Sequence, residues 1–186
     1  MTYNYLKSIL GKMIAIIGII LFFIVFWWWL FPILLIITKG KPVFAQTRVG
    51  RLGQPFKLYK FRTLPLISEE YVAQYNYHGK EYILGHFLRR YSLDETLQLI
   101  NILKGDLCFI GPRPVIAQEK ELIALRKEKG IQYLKPGLTG YAQLQYYNEA
   151  DVKQKVEYDY YYLQHFGFKQ DLLIFLKSFA HIAQRT

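Results

Sequence analysis

The sequence predicts an α+β fold that is mostly helical, with an N-terminal helix embedded in a membrane and a small domain after it. Three observations predict it: an uncharged stretch from Met13 to Ile37, two alternating segments around a glycine-rich turn, and several helical patterns after them. We therefore divide the chain into a membrane helix, residues 1–40, and a second domain, residues 41–186, with a short β-hairpin and amphipathic interfacial helices.

The uncharged stretch is long enough to reach through a bilayer. Its roughly 25 residues would extend about 37 Å as a helix, more than the hydrocarbon core of about 30 Å. A buried core helix would show a polar face, and a signal peptide would not continue into Trp27–Leu30. Basic residues flank it on both sides, most of them after it, which predicts a cytoplasmic domain. A spanning helix and a re-entrant helix broken at Pro32 both stay open.

Composition excludes several classes of protein. The 186 residues carry a formal net charge of +10, yet 52% are apolar and 17% aromatic, which argues against a disordered basic tail. The single cysteine, Cys108, excludes an intramolecular disulfide and a cysteine-only metal site. The four histidines are scattered, so a zinc site is not indicated.

The remaining elements follow from local patterns. Segments 43–46 and 56–61 predict the hairpin, and segment 64–85 is read as mostly irregular, with room for one short helix. Segments 108–114 and 135–140 are read as turns because of their glycines and prolines. Helices are expected over 92–104, 118–129, 151–164 and 170–184; the last has an apolar face that suits either a core or a membrane surface.

Asp94 and Glu95 are the candidate catalytic residues. Ser92 is predicted to cap their helix, with Glu95 completing a capping box, and acids in a first turn also simply complement the helix dipole. The same position predicts a carboxylate kept ionised at neutral pH by backbone N–H groups, at a place that attracts phosphate. Arg89 lies just upstream, and Arg113, held between two prolines, is predicted either to bind phosphate or to belong to a surface turn.

Taken together, these residues resemble the bacterial sugar transferase family, the monotopic phosphoglycosyl transferases. The matching motifs run in order through 43–50, 59–63, 88–95, 98–106, 111–114, 136–143, 159–162 and Asp171. The resemblance covers most of the chain from residue 43 to about residue 175, a catalytic domain in the family. It also implies that the membrane helix is re-entrant, so we expect both ends of the chain in the cytoplasm.

The resemblance implies transfer of a sugar-1-phosphate from a UDP-sugar to polyprenol phosphate in the bacterial inner membrane, with release of UMP, opening glycoconjugate assembly. It implies that Asp94 is the nucleophile, which forms a covalent aspartyl phosphosugar, and that Glu95 helps bind Mg²⁺. The residues that it assigns to phosphate or substrate binding are Lys60, Arg62, Arg89, Arg113, Gln143 and Asp159. The expected partners are the UDP-sugar, the polyprenol phosphate and inner-membrane lipids; no nucleic acid is expected, and a homodimer stays open.

An alternative is a catalytically inactive, membrane-anchored basic protein that binds lipid or polyanions or acts as a scaffold. The acidic pair distinguishes the two hypotheses, because a polyanion binder has no use for Asp94 beside arginines. The sequence contains no motif that specifies the sugar or the pathway.

Overall fold

The computed structural model describes residues 2–64, 82–145 and 150–184. Most of the segment 64–85 that we predicted to be irregular lies outside the described residues. The helices are α1 (Thr2–Phe22), α2 (Trp28–Ile37), α3 (Ile83–Arg90), α4 (Gln98–Lys104), α5 (Lys120–Glu128), α6 (Tyr141–Leu144), α7 (Val152–Gln164) and α8 (Phe168–Gln184). The strands are β1 (Val43–Val49), β2 (Pro55–Phe61), β3 (Cys108–Ile110) and β4 (Gly137–Thr139). The α+β, mostly helical prediction is confirmed.

The N-terminal helix extends from Thr2 to Ile37 and is long and apolar enough to cross a membrane. Only 11% of its most apolar window is buried within the protein, so most of its apolar surface has no protein cover. The chain stays helical through Pro32, the residue at which the re-entrant alternative placed a break, and the departure from α geometry is a π-helical segment at Phe23–Trp27. Proline lacks an N–H and its ring clashes with the carbonyl four residues earlier, so a wider turn just before it absorbs the misfit.

The predicted hairpin is confirmed, with β1 extending three residues beyond the predicted segment. Val43 pairs with Phe61 and Val49 with Pro55 in an antiparallel register, and the connecting turn has positive φ at Leu52 and Gly53. Leu58 of β2 and Ala15 of α1 share a buried cluster with Ile102 of α4, so the N-terminal helix packs against both the hairpin and α4.

The turn before α4 differs from the prediction. Ser92 has φ 55° and makes no side-chain capping hydrogen bond, so the predicted capping box is wrong. The Ser92 N–H donates to the carbonyl of Arg89, so Ser92 is the left-handed residue that ends α3. A residue that caps the start of a helix would need an extended backbone instead. Residues Leu93–Leu97 form a 3₁₀ turn, and α4 begins only at Gln98. The predicted end holds: Gly105 has φ 89° after Lys104.

Two segments that we read as turns form a small parallel sheet. Cys108 of β3 pairs with Gly137 of β4, and Ile110 pairs with Thr139. Strands this short carry no alternation pattern, and parallel pairing joins segments distant in sequence, so local reasoning missed it. The glycines that suggested turns instead allow two backbones to approach closely. A Cβ on Gly137 would lie 2.1 Å from the backbone nitrogen of Gly111.

In the C-terminal half, α5 packs on α7, and α8 packs on the parallel sheet. The predicted helices over 118–129, 151–164 and 170–184 are confirmed, each within about two residues of the predicted ends. Asp151 caps α7 through a capping box with Gln154. Val115, Leu122, Ile131 and Val156 form one buried cluster, and Ile110, Tyr162 and Ile174 form another.

Candidate active site

The acidic pair lies in the 3₁₀ turn between α3 and α4. This turn packs on β2, and Lys60 of that strand therefore reaches the turn, with its Nζ 2.5 Å from the Glu95 Oε1. Asp94 is 7% exposed, whereas 28% of the Glu95 side chain is accessible. The structure thus brings Lys60, Asp94 and Glu95 together, with Asp94 buried and the more accessible carboxylate of Glu95 beside the lysine.

Burial raises the pKa of Asp94 from the ordinary aspartate value of 3.8 to about 6. Lys60 and Arg89 lower the pKa, and Glu95 raises it, but loss of solvent is the largest cause. A backbone hydrogen bond at Asp94 also lowers the pKa, as the position at the start of the turn predicts, but burial outweighs it. Asp94 still loses its proton below neutral pH, so it is mostly ionised at pH 7.

Arg89 and Arg113 approach the pair from two other elements. Arg89, at the end of α3, donates from Nε to Thr63 Oγ1 at 2.8 Å and acts on the Asp94 carboxylate electrostatically. Arg113 lies in the turn after β3 and lines a recess together with Glu95. Two cations from different elements around the acidic pair suit a ligand with more than one phosphate.

The Arg113 turn is fixed by the parallel sheet. The N–H of Gly111 donates to the Thr139 carbonyl and the N–H of Gly137 to the Pro112 carbonyl, both at 2.9 Å. Gly137, like Gly111, has no room for a Cβ. The rigidity that we predicted from the two prolines thus comes as much from contacts with β4.

Three of the predicted binding residues, Arg62, Arg89 and Asp159, do not line the recess. Asp159 is 1% exposed and accepts hydrogen bonds from Arg126, whose Nη1 donates to the Arg113 carbonyl at 2.9 Å. Burial raises the pKa of Asp159, and the Arg126 guanidinium opposes that rise. Arg62 is buried and donates from Nε to the Lys41 carbonyl at 2.6 Å, next to the end of α2. In this geometry Asp159 acts on the site through Arg126, and Arg62 anchors the chain that follows the N-terminal helix.

A polar recess and a larger cleft adjoin the acidic pair. The recess has a volume of about 20 Å³ and is lined by Arg48, Leu58, Lys60, Glu95, Gln98, Arg113, Pro114, Gly137, Leu138 and Gln143. The cleft, of about 310 Å³, shares Glu95, Arg113, Leu138 and Gln143 with it. Asp94 lines neither space and sits next to Glu95 in the same turn.

Gln143 and Arg48 contribute polar atoms to the recess. The Gln143 Oε1 is buried and has no hydrogen-bond partner among the residues that the structure describes, and such an atom is poised to accept from a ligand. Arg48 was not assigned to the site from sequence. Strand alternation could have found it, because the register puts Arg48 on the same face of the hairpin as Lys60.

The donor set fits a magnesium ion only in part. Within residues 2–64, 82–145 and 150–184 no group of three or more histidine, cysteine, aspartate or glutamate side chains gathers as a cage. Mg²⁺, however, is commonly held by one or two carboxylates, with water and substrate phosphates completing its shell. Glu95, accessible and next to the recess, suits that arrangement.

Comparison with known proteins points to the same family as the sequence motifs. The family model described as "Bacterial sugar transferase" matches residues 2–185. The chain is 40% identical over 139 residues to "Uncharacterized sugar transferase EpsL" of Bacillus subtilis, covering 73% of this chain and 67% of that protein. It is 31% identical over 191 residues to "UDP-N-acetylgalactosamine-undecaprenyl-phosphate N-acetylgalactosaminephosphotransferase" of Aeromonas hydrophila, covering 97% and 44%.

A third relative is "UDP-glucose:undecaprenyl-phosphate glucose-1-phosphate transferase" of Escherichia coli, 34% identical over 157 residues, with 79% of this chain and 34% of that protein covered. The chain thus spans less than half the length of the Aeromonas and Escherichia relatives. Since the family match extends over nearly every residue, the chain belongs to the bacterial sugar transferase family.

Proposed function

We propose that the chain transfers a sugar-1-phosphate from a UDP-sugar to a polyprenol phosphate, releases UMP and so opens the assembly of a bacterial glycoconjugate. One observation carries the proposal: a buried, ionisable Asp94 lies beside Lys60 and Arg89, next to a recess lined by Arg48 and Arg113. Two relatives are named for UDP-sugars and undecaprenyl phosphate, which supports these substrate classes.

In the first step, a carboxylate oxygen of Asp94 attacks the β-phosphorus of the UDP-sugar. A new oxygen–phosphorus bond forms, the bond from that phosphorus to the bridging oxygen breaks, and UMP leaves with the bridging oxygen and its electron pair. In the second step, a phosphate oxygen of the polyprenol phosphate attacks the same phosphorus. The bond to Asp94 breaks, the carboxylate is restored, and the product is a polyprenyl diphosphate sugar. No net proton is taken up or released.

The surrounding side chains supply what these steps need. A pKa of about 6 leaves Asp94 ionised at neutral pH, while burial strips it of the water that would weaken its attack. Charge develops on phosphoryl oxygens, so Arg48, Lys60 and Arg113 around the recess stabilise it. Glu95 would help to hold Mg²⁺, which neutralises phosphate charge when bound.

The contacts of the N-terminal helix support a location on one side of the membrane. Near its start, Lys7 lies 2.6 Å from Asp171 of α8, and near its end Leu30 and Leu34 are buried against Phe61. A helix of 36 residues that touches the domain at both ends lies along it, whereas a spanning helix would carry one end about a bilayer thickness away. We propose that both ends of the helix face the cytoplasm at the inner membrane, with the basic domain on that side.

A kinetic experiment tests the transfer. Purified protein in detergent is mixed with a panel of UDP-sugars, Mg²⁺ and undecaprenyl phosphate, and UMP is measured. We expect release with at least one UDP-sugar, loss of release in Asp94→Asn, and radiolabelled sugar phosphate retained on the wild-type protein when the acceptor is left out. Full activity in Asp94→Asn would overturn the mechanism, and no release with any UDP-sugar would favour the inactive binder.

Labelling of Thr2→Cys in intact cells tests the topology, with exposed Lys127→Cys as the domain control. Cys108 is buried and gives little background. We expect both engineered cysteines to resist a membrane-impermeant maleimide until the cells are opened. Reaction of only residue 2 in intact cells would mean that the helix spans the membrane.

A further inference from the structure

The larger cleft lies between α4 and α8 and is mainly apolar. Six apolar side chains contribute to its walls: Leu99, Phe109, Leu138, Leu144, Phe175 and Phe179. Its volume of about 310 Å³ is at the lower end of the usual range for a ligand site. The two phenylalanines of α8 meet edge to face, with ring centres 4.9 Å apart.

Most of the hydroxyl groups around the cleft are already satisfied by the protein. Thr139 and Ser178 share a hydrogen bond of 2.8 Å, and Ser178 also donates to the Ile174 carbonyl. The Thr96 hydroxyl donates to the Leu93 carbonyl at 2.8 Å. A sugar or a nucleotide base needs free polar partners, so these walls suit a ligand portion that has no hydrogen-bonding groups.

The two parts of the cleft differ in chemistry. Glu95, Arg113 and Gln143 belong to both the cleft and the polar recess, so one part adjoins the phosphate-binding side chains. Phe179 is a wall residue and is also 60% exposed, and Leu176 and Leu172 on the same helix are exposed as well. The apolar walls therefore continue onto an outer apolar surface of the kind that rests on a membrane.

We propose that this cleft binds the first isoprene units of the lipid acceptor, with the prenyl chain passing along Phe175 and Phe179 and the phosphate lying at Arg113. The proposal rests on the proposed function, since it assigns the acceptor of that reaction to one side of the site. The UDP-sugar then reaches the acidic pair from the side of the polar recess, and after UMP has left the prenyl phosphate reaches it from the apolar cleft. Phe179 acts as a specificity residue for an isoprenoid chain.

The test compares Phe179→Ala with Leu176→Ala. The two side chains are 60% and 57% exposed on the same helix, so both variants lose outer apolar surface, but only Phe179 lines the cleft. Each protein is assayed with two acceptors, geranyl phosphate, which is short enough to reach little beyond the cleft, and undecaprenyl phosphate. The acceptor kcat/KM is divided by the amplitude of UMP released without acceptor.

For Phe179→Ala we expect this ratio to fall about tenfold with both acceptors, because both place the same first isoprene units in the cleft. For Leu176→Ala we expect less than a twofold change with geranyl phosphate. Equal ratios in Phe179→Ala, Leu176→Ala and wild type, or a fall with undecaprenyl phosphate alone, would overturn the proposal. A wild-type protein that releases no UMP would instead refute the proposed function, which separates the two failures.

A second variant tests the cleft in case Phe179→Ala does not fold. Ser178→Leu adds bulk to the cleft instead of removing a wall, and we expect the same fall in the ratio with geranyl phosphate. Circular dichroism and melting temperature in detergent establish that each variant is folded. If folded Ser178→Leu uses geranyl phosphate as well as wild type does, the cleft is not the acceptor site.

Discussion

Replacing Asp94 by asparagine should stabilise the protein at neutral pH while abolishing transfer. Burial raises the pKa of Asp94 from 3.8 to about 6 in the folded protein, whereas the unfolded chain exposes an ordinary carboxylate. The folded state therefore holds the proton more tightly. The contribution of this group to stability is fully present below pH 3.8 and is lost as the pH rises through about 6.

The size of the effect follows from the width of that window. A difference of about two pH units, at about 1.4 kcal/mol per unit, lowers the free energy of unfolding by about 2–3 kcal/mol above pH 6. The favourable actions of Lys60 and Arg89 are already included in the net pKa. The neutral side chain of Asp94→Asn carries no such penalty, because it does not ionise. For a chain of this length, the gain raises the melting temperature by roughly 5–10 °C.

The assay is thermal or chemical unfolding in detergent at a series of pH values from 4 to 8, for wild type and Asp94→Asn. Titrating groups far from the substitution contribute equally to both proteins, so the difference between the two curves reports Asp94 together with the neighbours that interact with it. We expect the difference to be small near pH 4 and to reach its plateau above pH 6. Exposed Glu121→Gln, the control, should change stability by less than about 0.5 kcal/mol at each pH. A difference that does not change with pH, or a variant less stable at pH 7.5 than at pH 4 relative to wild type, would refute the reasoning.

Two other substitutions test how the Arg113 turn is held. Gly137→Ala places a Cβ 2.1 Å from the Gly111 nitrogen, so we expect a loss of about 1–3 kcal/mol in denaturant unfolding together with loss of UMP release, whereas Gly167→Ala, whose Cβ has room, should leave both near wild type. Asp159→Asn leaves the Arg126 guanidinium without its carboxylate, so we expect the free energy of unfolding to fall by about 3–5 kcal/mol. The control Glu157→Gln breaks only the exposed pair with Lys129 and should lower it by less than about 1 kcal/mol; equal losses in the two variants would contradict a structural role for Asp159.

The hairpin and the later helices could be predicted because their signals are local. Alternation over β2, the glycines after β1 and the helical patterns around Leu122 and Ile174 each involve neighbours in sequence. The end of α4 at Gly105 follows from the same kind of signal. The start of that helix does not, because Ser92 serves the end of α3 instead, and only the packing of the two helices decides which role it takes.

Some residues of the candidate site could likewise be predicted from the sequence, and others could not. Asp94, Glu95 and Arg113 were identified from residue type, spacing and family resemblance, and the fold brings them to one region. The separate place of Asp159 depends on a buried contact with Arg126, which lies 33 residues earlier in the chain. Arg48, in turn, enters the recess through the register of the hairpin.

By itself the sequence determined the chemical inventory of this protein: an uncharged helix that favours lipid, a basic domain, and an acidic pair among arginines. These features depend on composition and on spacings between neighbouring residues, which can be read without knowing the three-dimensional structure. Only the tertiary structure decided that the helix lies along the domain, because the contact between Lys7 and Asp171 joins residues that are far apart in the sequence. It also decided that Asp94 has a raised pKa, because desolvation depends on how neighbouring elements exclude water and not on the residues beside it in sequence.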